Sequence, residues 1–76
     1  MTDITFEEAM ALIPDEWTAW QLRSRLRKTK FVATLTRIPE GEGEEISTKP
    51  AHADTPGKAL ALAVRYAKDG NVYYAL

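Results

Sequence analysis

Apolar residues near the start of the chain recur at helical spacing: Phe6, Met10 and Ile13 stand three or four positions apart, which stacks side chains on one face of an α-helix. Thr5 followed by Glu8 fits a capping box, in which a hydroxyl and a carboxylate satisfy the N–H groups left free at a helix start. The pattern predicts a helix from Phe6 to Ile13. Pro14 ends it, having no N–H to donate and disfavouring helical backbone in the residue before it.

Between Trp17 and Leu26 two periods compete. Trp20, Leu22 and Leu26 alternate with Gln21, Arg23, Arg25 and Arg27 as in a half-buried strand, while Ala19, Leu22 and Leu26 also suit a helix face. The alternation is the longer pattern, so this segment is read as a strand. Phe31 to Ile38 is rich in Val, Thr and Phe and bounded by Lys30 and Pro39, the signature of a second strand paired with the first. Residues Arg27 to Lys30 form the turn between them.

Pro39 to Glu45 holds two glycines, four glutamates and no apolar residue. Such a segment has nothing to bury and reads as a mobile acidic loop. A short third strand follows from Ile46 to Ala53, interrupted by Pro50. Proline removes a ladder donor, which puts the strand at a sheet edge or confines its pairing to one side. Thr55 then caps a helix that Pro56 opens, since proline at the first helical position has no N–H to waste. Leu60, Ala63, Val64 and Ala67 form the inward stripe of this helix, Arg65 and Lys68 favour its negative end, and Gly70 after Asp69 supplies a left-handed exit. Asn71 to Leu76 extends as a tail or a fourth strand, with Tyr73 and Tyr74 on opposite faces.

The expected fold class is α+β, in the order α-β-β-β-α with a C-terminal strand optional. An antiparallel sheet of three or four strands packs with two helices, either both on one face or one on each.

The 76 residues suffice for one domain, and a chain of this size buries only about 60% of the surface its unfolded form exposes. With no cysteine, packing alone must hold the fold. The first 30 residues contain no apolar stretch behind a positive start, and no run is apolar for membrane-spanning length, so the expected compartment is the cytoplasm. The net charge is only −1, yet the charges are sorted. Residues 1–22 carry five acids and no base, residues 23–37 six bases and no acid, residues 38–57 five acids and one base, and residues 58–76 three bases and one acid.

Enzyme chemistry finds little to work with. Nucleophilic catalysis needs a nucleophile, an activating base and a group that orients the base, and His52 is the one histidine. Zinc prefers several Cys or His ligands, and the Glu-rich run lacks the Asp and Asn spacing of a calcium loop. The Gly-Lys step in Thr55 to Lys58 lacks the upstream glycine of a phosphate loop, and Gly57 is read as a point of close packing. No cofactor or metal is expected. Two charged surfaces remain. The acidic run Glu40, Glu42, Glu44 and Glu45 reads as a phosphate-mimicking patch for a basic groove on a partner. The alternative is the basic cluster Arg23, Arg25, Arg27, Lys28 and Lys30, with Trp17, Trp20 and Phe31 nearby to stack on bases.

The order of elements, with Lys49-Pro-Ala-His52 and Lys58-Ala-Leu60, distantly resembles double-stranded RNA-binding domains, although Lys58 stands alone beside Asp54 where that family has paired lysines. More of the chain is covered by another likeness. The Trp17 to Leu22 and Phe31 to Thr36 hairpin, Ala51 to Pro56, and Ala59-Leu60 opening an alanine-rich helix resemble small phage proteins with an ABA-sandwich type of domain. Many small acidic proteins of that gene pool are similar to anti-CRISPR proteins, which share no motif, so no site residue transfers. This likeness implies a stoichiometric, non-enzymatic inhibitor that works in the host cytoplasm. It would bind a host protein or ribonucleoprotein, such as a type I interference (Cascade) complex, block target DNA, and act as a monomer or weak dimer without touching membrane.

Overall fold

The computed structural model describes residues 4–25, 30–38 and 45–75. Thr5 caps the first helix, α1, Phe6–Ala11. Its hydroxyl accepts the Glu8 N–H at 3.1 Å and the Glu8 carboxylate accepts the Thr5 N–H at 3.0 Å, completing the expected capping box. The Thr5 backbone N–H first, and the Thr5 side chain second, hold the Glu8 carboxyl below its ordinary range. The helix stops two residues short of Ile13 because the chain tightens ahead of Pro14. Leu12 and Ile13 donate three residues back, to the Ala9 and Met10 carbonyls, as in a 3₁₀ turn. Ala9 rather than Met10 faces the core, and Met10 is exposed.

The competition between periods resolves as strand. β1 (Ala19–Arg25) pairs antiparallel with β2 (Lys30–Arg37), with Trp20 opposite Leu35 and Arg25 opposite Lys30. Trp17 lies outside β1 because its N–H is taken by the Pro14 carbonyl in the preceding turn.

The expected third strand is two strands, β3 (Glu45–Thr48) and β4 (Ala51–Ala53). Ser47 lies opposite Thr36 in β2, and Ala51 lies opposite Ala33. Three residues, Thr48, Lys49 and Pro50, therefore face the two residues Thr34 and Leu35. One extra residue in one strand is a β-bulge, and Pro50, which has no N–H for a ladder, stands inside it. Then follow α2 (Pro56–Asp69) and β5 (Val72–Ala75). Gly70 leaves α2 at φ 80°, the left-handed exit expected of glycine, and β5 pairs antiparallel with β3. The sheet order is β1-β2-β3-β5, with β4 beside β2. β3 is thus an interior strand; only β4 has the one-sided pairing expected around Pro50.

Both helices lie on one face of this sheet. α2 packs across β2, β3 and β4, and α1 packs against α2. From α1, Phe6 also meets the β1 residue Trp20, edge to face, with ring centroids 5.1 Å apart. Extents of 41 × 26 × 17 Å fit one sheet layer and one helix layer. Between them lie Ala33, Leu35, Ile46 and Ala51 from the sheet and Ala59, Leu60, Ala63 and Val64 from α2. Alanine on both sides lets the layers approach closely, which leaves little room for added volume. Among the described residues, no helix is long and apolar enough to cross a membrane.

Gly57 marks the tightest approach. A Cβ there would fall inside contact distance of the Ile4 carbonyl oxygen and 2.7 Å from the Thr5 carbonyl carbon. Backbone cannot swing away as a flexible side chain does, so Gly57→Ala should destabilise by about 1–3 kcal/mol, although alanine has the higher helix propensity. Urea denaturation measures this; a stabilised Gly57→Ala protein would show that α2 does not close onto the start of α1.

Candidate functional site

Paired residues in an antiparallel ladder share a face, and alternate residues along a strand point to opposite faces. With Leu35 and Ala33 under the helices, register puts Trp20, Leu22, Phe31, Ile46, Ala51, Val72 and Tyr74 on the helix side. The other face carries Gln21 and Arg23 from β1 and Lys30, Val32, Thr34 and Thr36 from β2. Glu45 and Ser47 from β3, His52 from β4 and Tyr73 from β5 complete it. No helix covers this open face among the described residues.

The bulge decides which side chains reach it. A regular ladder continuing from Thr36 and Ser47 would set Ala51 opposite Val32 and His52 opposite Phe31, turning His52 to the helix side; the bulge sets His52 opposite Val32 instead. The bulge also interrupts the ladder at Leu35, whose N–H is buried. Thr48 repairs the gap: its hydroxyl, 1% exposed, accepts the Leu35 N–H at 2.9 Å. Lys49 lies at the bulge, where its N–H donates to the Asn71 carbonyl and its ammonium sits 5.7 Å from the centre of the Tyr73 ring. On the open face, the Thr36 and Ser47 hydroxyls are 3.3 Å apart. With its oxygen turned to Arg23, the Gln21 amide accepts from the guanidinium at 3.3 Å and steadies it.

The result is a polar surface dominated by positive charge. Among the described residues, Arg23, Lys30 and Lys49 are exposed beside the exposed imidazole of His52, with the Glu45 carboxylate in β3 and the exposed Asp54 directly after Ala53. At the bulge the surface dips into a concavity of about 400 Å³, lined by Arg23, Ser24, Val32, Pro50 and His52. A shallower one runs on from it between Gln21, Arg23, Val32, Thr34 and Pro50. Ser24 borders the larger cleft but pairs with Phe31, so its side chain belongs to the helix side, while His52, opposite Val32, faces outward. Among the described residues, no three His, Cys, Asp or Glu side chains cluster closely enough to hold a metal.

Of the basic cluster, Arg23 and Lys30 reach the open face. Arg25 lies opposite Lys30 in the backbone register, and Arg27 and Lys28 lie outside the described residues, as do Glu40, Glu42 and Glu44. Glu45 is the exposed first residue of β3. The aromatic partners read from the sequence are corrected. Trp17 is 8% exposed beneath the Arg37 guanidinium, 5.6 Å from its ring, while Trp20 and Phe31 sit on the helix side. Trp17 belongs to the core, and Trp20 remains 45% exposed. The aromatic residue of the open face is Tyr73, which with Lys49 and His52 joins the site from beyond the basic run. Period-two alternation signalled that Tyr73 and Tyr74 would part, but only the pairing with β3 shows which one shares a face with Arg23.

Comparison with protein-family models, curated proteins and solved structures finds no match.

The Thr48 hydrogen bond makes the bulge testable. Thr48→Val keeps the volume but leaves a buried N–H unpaired, at a cost of about 1–3 kcal/mol. Thr48→Ser keeps the acceptor and loses one methyl, about 1 kcal/mol. Chemical denaturation should rank serine above valine; the reverse order would mean that the hydroxyl does not hold the bulge.

Proposed function

We propose that the chain is a non-catalytic binding module that docks an anionic partner on the open face of its sheet. The supporting observation is the gathering of Arg23, Lys30, Lys49 and His52 on a surface that no helix covers among the described residues, where the described strands place one carboxylate, Glu45, although the chain as a whole is slightly acidic. A local field of one sign steers an oppositely charged partner and raises its association rate whatever the net charge. Ser24 and His52 stand on opposite faces of the sheet, and a nucleophile with no base beside it among the described residues favours binding over catalysis. The sequence likeness to phage-type inhibitors suggests a context in which the partner is a host nucleoprotein complex.

Retention on immobilised heparin tests this directly. The triple substitution Arg23→Gln, Lys30→Gln, Lys49→Gln removes three exposed charges, and surface changes of this kind alter stability by only about 0.5 kcal/mol each. It should elute at markedly lower salt than the natural protein. Glu40→Gln, Glu42→Gln, Glu44→Gln, Glu45→Gln should elute at the same or higher salt. An unaltered triple variant would refute the docking face. Loss of partner capture from host lysate by the glutamine quadruple alone would favour the acidic mimic instead.

A further inference from the structure

We infer that the anionic partner of the open face is single-stranded nucleic acid, with one base stacked on Tyr73 and neighbouring phosphates held by Lys49, Arg23 and Lys30; this rests on the docking face proposed above. Charge alone does not distinguish nucleic acid from an acidic peptide. What favours nucleic acid is the aromatic and apolar surface set among the cations. Tyr73 is 57% exposed, large for an aromatic ring with no burial to gain, and its neighbour Lys49 stands 5.7 Å from the ring centre. The ammonium lies over the ring, so a base that stacks on Tyr73 displaces it toward the neighbouring phosphate, and the flexible lysine stem lets it make that contact. An acidic peptide would use the cation and leave the ring idle.

The concavity at the bulge extends the same logic. Val32 and Pro50 supply apolar surface, His52 a second flat ring, and Arg23, steadied by Gln21, a planar guanidinium that both stacks and pairs with phosphate. Tyr73 lies across the sheet from this cleft, beyond Ser47 and Thr36, with Lys49 at the bulge. The hydroxyls of Thr34, Thr36 and Ser47 face the same way and suit sugar and base edges. Duplex fits less well, because its bases are stacked inside and cannot lie on the ring of Tyr73.

The experiment is fluorescence anisotropy with a labelled oligothymidylate of roughly ten nucleotides, run beside the same sequence as duplex, a heparin fragment and polyglutamate. The single strand should bind best, with a log–log salt slope of about −2 for three phosphate contacts. Tyr73→Ala should weaken it roughly tenfold while leaving heparin binding unchanged; Tyr73→Phe should bind as the natural protein does. Far-ultraviolet circular dichroism of each variant checks the fold. Equal binding of oligothymidylate and heparin, both indifferent to Tyr73→Ala, would overturn the inference and leave the anionic docking face standing. Preference for polyglutamate or for duplex would also overturn it. Binding of none of the four would bring down both.

Discussion

The hydroxyl of Thr48 accepts a hydrogen bond from the buried N–H of Leu35, in a place where a regular ladder would have supplied a backbone carbonyl. Much of the molecule depends on that substitution. Pro50 contributes no N–H, and the extra residue shifts the register of β4 against β2 by one position. Because side chains alternate with a period of two, that shift exchanges the faces of β4: Ala51 and Ala53 turn to the helices and His52 to solvent. The bulge therefore lets one short stretch of chain serve two neighbours, closing the core with alanines and furnishing the outer face with a cleft.

A small chain has enough apolar surface to cover one side of a sheet. Here that side is lined by alanines from both layers, so α2 lies close to β2 and β4, and Gly57 lets its first turn meet the strand of chain entering α1. The other side is left to water and carries the polar half of every alternating strand. Since β1 and β2 come from the basic block of the sequence, and the bulge adds Lys49 and His52, the exposed half is cationic.

How much of this was legible beforehand follows from the range of the interactions. Local signals were readable: the capping box at Thr5 and Glu8, the Thr55-Pro56 start and Gly70 exit of α2, the alternation of β1, and Gly57 as close packing. The α+β class followed from their order. The break at Pro50 was visible, but its meaning was not, because a bulge is defined by the residues opposite it and the partner of Lys49 could not be read from Lys49. Similarly, Trp17, Trp20 and Phe31 stand near the basic run in sequence, which is why they are expected there to stack beside it. Register sends Trp20 and Phe31 to the opposite face, whereas the turn at Pro14 folds Trp17 under Arg37. Tyr73, far along the chain, takes the place assigned to them because β5 pairs with β3.

The decisive property of the molecule is which face a polyanion touches. Amide chemical-shift mapping during titration with oligothymidylate would show this residue by residue. Shifts concentrated at Arg23, Val32, Lys49, His52 and Tyr73, with Met10, Leu12 and the exposed positions of α2 unmoved, are the predicted result. Shifts centred on the helices, or on residues 40–45, would contradict it.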